Sequence, residues 1–450
     1  MSIVNCGVRM AENYLPQVRE LYETFPFPAR DPATENPSAV PVSPTDILGK
    51  INHHGFGGRR DFTKGFRALV AGGGTGDAAI FLAAQLRGTD AEVVCLDLSE
   101  ASLAIARQRA ALRKLEQRIR WIHGSILDVA RLGLGRFDYI SCLGVLHHLA
   151  DPDEGLRALA DVLGEGGAMG LMVYGRYGRL DIYAMQDLMR LINRDEPDLP
   201  AQVANLKAAL RGLSPAHLLL RGRGREQIEA LIANESNIVD TFLHAQDRAY
   251  TVPELYRFVE GAGLSVVNFT NFGHVVRLEY EPDIYLADAA LKARLAARSL
   301  RERQAIAELL HGHMFLHTLY AARPGCRAAS FRDPDMVPFF LTVPGAEAAE
   351  RLRGRGAVKV RLSSRIVLAV APSPPALACL ALVDGARPLA EIWREAAAVL
   401  GEDADRVAAA AAADLERFNA FNWLCLRHRS CPPPPSLAYG YRRDAVLAAD

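Results

Sequence analysis

Glycine at every second position of a short turn, between an apolar run and a helical pattern, is the feature that most limits this chain. Arg67-Ala68-Leu69-Val70-Ala71 reads as a strand, Gly72-Gly73-Gly74-Thr75-Gly76 as the turn, and Asp77 to Leu86 as a helix stopped by Gly88. Without Cβ atoms the backbone can bend sharply and let a ligand approach closely. The helix start offers free N–H groups to an anionic group. In an open α/β sheet this is the carboxyl edge, where ligands bind. Asp97 closes the next strand, 21 residues after Gly76. A carboxylate there can accept protons from both ribose hydroxyls, so the two features together predict a nucleoside ligand. Gly74-Thr75-Gly76-Asp77-Ala78-Ala79 also fits a GxGxxA dinucleotide fingerprint, which leaves two cofactor classes open at this point.

Strand and helix signals alternate from Arg67 onward. Ala91 to Leu96 is a strand, and Ser99 caps a helix reaching about Glu116. Arg118 to Ile122, Phe137 to Cys142 and Met169 to Tyr174 are further strands. Between the last two, Asp151-Pro152-Asp153-Glu154 supplies an N-cap, a first-turn proline and a first-turn carboxylate. Helical crossovers of this length imply a parallel, doubly wound, Rossmann-like arrangement of these five strands, in a sheet that reaches seven with the two strands named next. The alternation pauses at 181–239, which reads as a helical insertion. It resumes with a helix at Thr251 to Glu260, a strand at Leu264 to Phe269, one long helix at Ile284 to Leu310 and a final strand at Phe315 to Ala322.

Three segments follow from this pattern: an N-terminal arm or lid (1–60), an α/β domain (61–325) and a smaller C-terminal α+β unit (326–450). The arm starts with a short helix from Tyr14 to Thr24. It continues through Phe25-Pro26-Phe27-Pro28 into a proline-rich extended stretch. The C-terminal unit shows a strand pair, Val358 to Leu362 and Ile366 to Val370. Helices at Ala376 to Val383, Leu389 to Leu400 and Ala404 to Phe421 suggest a winged-helix-like fold. Between 351 and 431 there are 12 basic and eight acidic residues. That surplus is too small for a nucleic-acid reader, so protein contact or homodimerisation is the expectation.

Composition narrows the function classes. Fifty-two basic side chains balance 52 acidic ones, which argues against a protein built mainly to hold nucleic acid or an anionic membrane. The seven cysteines are scattered and form no CxxC pair, so neither a disulfide framework nor a structural zinc site is expected. No apolar stretch of spanning length and no signal-peptide pattern is seen. The expectation is a cytoplasmic protein without a membrane segment or a metal.

The cofactor class is decided further along. Phe137-Asp138-Tyr139-Ile140, Gly144-Val145-Leu146-His147-His148-Leu149, Asp151-Pro152 and Leu163-Gly164-Glu165-Gly166-Gly167 form one pattern with the glycine turn and Asp97. Here the sequence resembles the class I S-adenosylmethionine (SAM)-dependent methyltransferases, closely over about 65–175. The resemblance implies SAM as methyl donor and S-adenosylhomocysteine as product. It implies that Gly72, Gly74 and Gly76 line the methionine and ribose portions. Asp77 would meet the methionine ammonium, and Asp97 the ribose hydroxyls. Leu98 would pack on adenine, with Ser125 and Ile126 at the adenine edge and Cys142 and Leu143 near the methionyl group. Many relatives carry Asp where Ser125 stands, and Asp128 is then an alternative partner for adenine.

Methyl transfer from a sulfonium needs mainly an acceptor placed in line, and a base if the acceptor carries a proton. His147 and His148 lie just past the fourth strand, and either could be that base or merely pack. The insertion leaves the sheet after the fifth strand and returns through Asp240-Thr241-Phe242-Leu243-His244. Tyr174, Asp240 and His244 are therefore the expected acceptor-binding residues, for a small molecule or a protein. Two other readings use the same fold: aminopropyl transfer, and a non-catalytic SAM-binding module that tethers the C-terminal unit.

Overall fold

Strands that are apolar along their whole length must be covered on both faces, and those around the glycine turn are. The computed structural model describes residues 16–435 apart from 223, 271–276, 342–346, 348, 351, 353–357 and 362–366. Tyr14, Leu362 and Ile366 lie outside the described residues. The main sheet comprises β1 (Arg67–Ala71), β2 (Glu92–Asp97), β3 (Ile119–His123), β4 (Phe137–Leu143) and β5 (Leu163–Gly175), then β6 (Ala249–Tyr250), β7 (Ser265–Phe269) and β8 (Leu316–Ala322). Seven of them run in the order β3-β2-β1-β4-β5-β8-β7, and the two-residue β6 pairs with β5. The order reverses between β1 and β4, which opens a crevice at their carboxyl ends. Leu69, Val94, Ile140 and Leu171 build the core on one face. Ala68, Val70, Val93 and Tyr139 build it on the other.

The first five strands are parallel, as the crossovers imply, while the last, β8, runs antiparallel to both β5 and β7. Its first residue, Leu316, pairs with Tyr174 near the end of β5, so the chain enters at the carboxyl edge and can only run backward. The long helix expected at Ile284 to Leu310 is two helices, Ala289–Ala296 and Leu300–His311. Ser299 and Glu302 form a capping box that starts the second one, a local signal that outweighs the continuous helical pattern. The helix after Ser99 likewise stops early, at Leu112, where Lys114 takes a positive φ of 56°.

The insertion consists of helices Leu180–Ile192, Leu199–Gly212, Leu218–Gly222, Arg225–Ile232 and Glu235–Phe242. They enclose a core of their own around Met185, Leu206, Leu210 and Ile238. The N-terminal helix, Pro16–Thr24, sets Leu21 against Val203 and Val239 of that insertion. In the C-terminal unit the expected strand pair and three helices are present. A second ladder, Met336–Phe340 with Leu424–His428, was not foreseen. Among the described residues no helix is long and apolar enough to cross a membrane.

The helix Leu48–Gly55 is buried along its whole length between the sheet and the C-terminal unit. His53 Nδ1 accepts the amide N–H of Leu426 at 3.1 Å. Just before this helix, Asp46 accepts hydroxyl hydrogen bonds from Ser43, Tyr139 and Ser141. Lys50 is fully buried and donates from Nζ to the Pro44 carbonyl at 2.6 Å. Burial pushes its pKa down to about 7, opposed in part by Asp46. The unfolded chain, with an ordinary lysine pKa, therefore holds the extra proton between about pH 7 and 10. Stability should rise with pH across that window in the native protein. In Lys50→Met the rise should vanish, as thermal melting at pH 7 and pH 10 would show; an identical pH response in both proteins would refute the assignment.

Candidate active site

Asp97 joins the two halves of the glycine turn's surroundings. Its Oδ2 accepts the Gly74 N–H at 2.7 Å and its Oδ1 accepts the Ser99 N–H at 2.8 Å. Each oxygen retains a second lone pair for a hydroxyl donor. Burial pushes the Asp97 carboxyl upward in pKa, and the two amide donors pull it back. Gly72 and Gly73 both donate to the Leu96 carbonyl, at 2.8 and 3.1 Å, so the turn wraps over the end of β2. A side chain could not be tolerated here. At Gly72, with φ of 74°, a Cβ would lie 2.3 Å from Val145; at Gly74 it would lie 2.5 Å from the Phe27 carbonyl. These residues fit a nucleoside bearing free ribose hydroxyls.

A cavity of about 640 Å³ runs from this turn to the insertion. One end is lined by Gly72, Gly74, Asp97, Leu98, Ser125, Ile126 and Leu143. Phe27 and Pro28 of the N-terminal segment close over it. The Phe27 carbonyl accepts the Thr75 N–H at 3.3 Å, and the Pro28 carbonyl accepts the Thr75 hydroxyl at 2.8 Å. Gly76 has a φ of 98°, and a Cβ there would lie 2.7 Å from Ala106; it serves helix packing and is not among the cavity's lining residues. Asp77 lines the cavity, but its carboxylate is already paired with Arg30 at 2.6 Å and Arg109 at 2.7 Å. Cys142 is fully buried in the core and does not line the cavity, and burial pushes its thiol up to about 12. Asp128 pairs with Arg131 at 3.2 Å and does not reach the cavity.

At the other end the walls are His148, Tyr174, Arg179, Asn237, Asp240 and Phe315. Strand β5 carries Tyr174 to the carboxyl edge, and the turn after it carries Arg179, whose guanidinium stacks 3.5 Å from the Tyr174 ring. Asp247, its side chain buried, holds Arg179 at 2.6 Å and also accepts from Tyr183 and Gln186. Asp240 accepts the Tyr22 hydroxyl at 2.8 Å, and burial pushes its carboxyl up to about 6.

The histidines divide sharply. His148 Nδ1 lies 2.9 Å from the Gln246 carbonyl, so Nδ1 bears the proton and Nε2 keeps a lone pair. Burial pushes its pKa down to about 4, with Arg179 acting in the same direction. His147 does not line the cavity. It is fully buried, its ring 3.8 Å from that of Tyr174, because the turn after β4 points it inward. His244 lies one layer back, stacked on His148 at 3.7 Å. Its Nδ1 accepts the Gln246 N–H at 3.1 Å, and its Nε2 is 3.3 Å from the Tyr22 hydroxyl. Donor atoms of His148, Asp240 and His244 lie within 4.8 Å of one another, a spacing that could suit a cation. A neutral imidazole has one lone pair, however, and His244 gives it to the Gln246 amide.

Sequence reasoning missed Arg179, Asn237 and Phe315. Arg179 carried a faint signal, a charged residue five positions past Tyr174. The others carried none.

Residues 69–169 match the family model described as a methyltransferase domain. An uncharacterized protein of Synechococcus sp. is 31% identical over 309 residues, covering 67% of this chain and 70% of that protein. The tRNA 5-carboxymethoxyuridine methyltransferase of Escherichia coli is 37% identical over 114 residues, a quarter of this chain (25%) and 42% of that enzyme. The solved structure of PKMT2 from Rickettsia typhi in complex with AdoHcy shares the fold. It has a TM-score of 0.56 and 13% identity, over 87% of this chain and 76% of that one. Asp97→Ala should weaken SAM binding by about 1.5–3 kcal/mol, the scale of hydrogen bonds to a charged group. Titration calorimetry on a variant with an unchanged melting temperature checks this, and wild-type affinity would refute the ribose role.

Proposed function

Because the chain belongs to the class I SAM-dependent methyltransferases, we propose that it methylates an acceptor whose nucleophile carries a proton, that His148 Nε2 receives that proton, and that no metal takes part. The observation behind this reading is the His148 tautomer: Nδ1–H is committed to the Gln246 carbonyl, on a ring that lines the cavity. SAM, when bound, supplies a methyl group already activated by its sulfonium, and the protein's tasks are placement and deprotonation.

The depressed pKa keeps His148 neutral throughout the physiological range, so its Nε2 lone pair is available to accept a proton. The imidazolium formed in the reaction would face the Asp240 carboxylate, which Tyr22 holds by its hydroxyl. Arg179, fixed by Asp247, and Tyr174 would shape the acceptor side, together with Asp240. His244 would brace His148 by stacking, one layer behind the wall. At the other end the cofactor would sit between the glycine turn and Leu98, with Ser125 and Ile126 at the adenine edge and Leu143 beside the methionyl chain. The metal-free reading rests on the lone pair that His244 gives to the Gln246 amide.

A small molecule or a protein side chain fits this reading best. The Escherichia coli enzyme is named for a tRNA substrate, but its match is confined to a quarter of this chain (25%). With 52 basic and 52 acidic side chains, the chain has no charge surplus for RNA.

Incubating the purified protein with SAM and separate pools of amine- and hydroxyl-bearing metabolites and peptides, then measuring S-adenosylhomocysteine release, identifies the acceptor class. With that acceptor, His148→Ala should lower turnover by about two to four orders of magnitude while SAM affinity is retained. Wild-type turnover should fall in two steps as the pH drops, first through about 6, where Asp240 is protonated and no longer faces the imidazolium as a carboxylate, and again through about 4, where His148 becomes protonated. Normal turnover in His148→Ala would reject the base. In a separate assay, dialysis against a chelator should leave the rate unchanged, and a loss restored by added divalent cation would overturn the metal-free reading.

A further inference from the structure

The cavity meets solvent at an apolar rim. Among the described residues that line it, Val42 and Phe315 alone are exposed, 39% and 41%. The charged groups of the acceptor end, Arg179 and Asp240, are buried. They are already engaged, by Asp247 and by the Tyr22 hydroxyl. A charged group lying across this rim would lose water without gaining a charged partner from these walls.

Phe315 is fixed in place. Its carbonyl accepts the Gly175 N–H at 2.9 Å, and the Met314 carbonyl accepts the Gly178 N–H at 3.0 Å. A Cβ at Gly178 would lie 2.3 Å from the Phe315 backbone, so the turn that carries Arg179 packs directly on it. Val42 comes three residues before Thr45, whose Cγ2 would lie 2.9 Å from a Cβ at Gly170 of β5. Both exposed side chains thus come from segments packed on β5, the strand that brings Tyr174 to the acceptor end. Further exposed apolar side chains lie close by in the chain. Leu180 is two residues past Gly178, and Leu309 and Leu310 stand in the last turn of the helix that leads to Phe315. Large apolar side chains gathered in water mark a binding surface. Phe315 belongs both to this surface and to the cavity wall, so an occupant of the cavity can cover the surface as well.

We propose that the acceptor is an amphiphile whose polar nucleophile lies at His148 Nε2 and whose hydrocarbon chain leaves between Val42 and Phe315, over Leu309 and Leu310. The inference deepens the methyl-transfer reading and rests on it. The nucleophile's lone pair takes the methyl carbon, the C–S electron pair stays on sulfur, and His148 takes the released proton. The chain has no part in that chemistry; it contributes binding, about fourfold per buried methylene.

The probes are 1-hexanol, 1-octanol and 1-decanol, which share a hydroxyl head and differ only in chain length. Titration calorimetry on the full chain, with and without S-adenosylhomocysteine, should show affinity rising about fourfold per added methylene. In Phe315→Ser and in Val42→Ser that step should fall below about twofold, and Phe315→Leu should keep it. A wild-type affinity independent of chain length, or the same step in Phe315→Ser as in the wild type, overturns the proposal. A dimer that Phe315→Ser dissociates, seen by sedimentation, also overturns it, since a second copy would then cover the surface. If the wild-type chain does not bind S-adenosylhomocysteine, the methyl-transfer reading fails instead. The alkanol series measured without that ligand then still decides whether a hydrocarbon chain occupies the rim.

Discussion

One carboxylate, Asp97, sets the geometry on which the site depends. Its two oxygens take one amide from the glycine turn after β1 and one from the start of the helix after β2. These elements flank the end of the sheet next to its topological switch point. Fixing them with one side chain means that the turn cannot relax away from β2. The same carboxylate stays available to a ligand. A buried charge is costly unless hydrogen-bonded, and the two amides supply part of that compensation before any ligand arrives. Pre-organisation of this kind lowers the cost of ordering the site when a ligand binds.

The far side of the cavity is organised by a different device, a buried ionic hub. Asp247 gathers Arg179, Tyr183 and Gln186. It thereby ties the first insertion helix to the segment that returns the chain to the sheet. Breaking a buried pair by removing one partner usually costs more than the pair contributes, because it strands a charge. The hub therefore contributes mainly to the placement of Arg179 and Tyr174. The histidines show how much a single local hydrogen bond decides. His148 and His244 stack on one another and both turn Nδ1 to the Gln246 backbone, but His148 donates to its carbonyl while His244 accepts its N–H. That difference alone assigns a free lone pair to the one that lines the cavity.

Much of the cofactor half was legible because its signals are local. Glycines at 72, 74 and 76, Asp97, the Ser99 cap and the Asp151-Pro152 helix start each act within a few residues of themselves. The seven strands followed from apolar runs. The direction of β8 did not, because nothing in Phe315 to Ala322 records which edge of the sheet the chain enters from. His147 and His148 were indistinguishable in sequence, being adjacent and alike, and only the turn after β4 separates them. Arg179 was only faintly legible, for another reason. It is placed by a carboxylate 68 positions away, and a charged residue in a loop looks the same whether it is solvated or paired. The bond from Tyr22 to Asp240 spans 218 positions, beyond any local pattern.

The insertion keeps its own apolar core, separate from those on the two faces of the sheet. Substitutions at distant sites with no shared partners combine nearly additively. The helices at 180–242 can therefore be repacked around Met185, Leu206 and Leu210 with little effect on the glycine turn, so long as Val203 and Val239 still receive Leu21 of the N-terminal segment that reaches that turn. On the reading proposed above, chain order thus divides the molecule into a part kept for any acceptor and a part that can diverge with each one. New specificity would cost the cofactor end little, provided the residues around Asp247 remain as the coupling between the two.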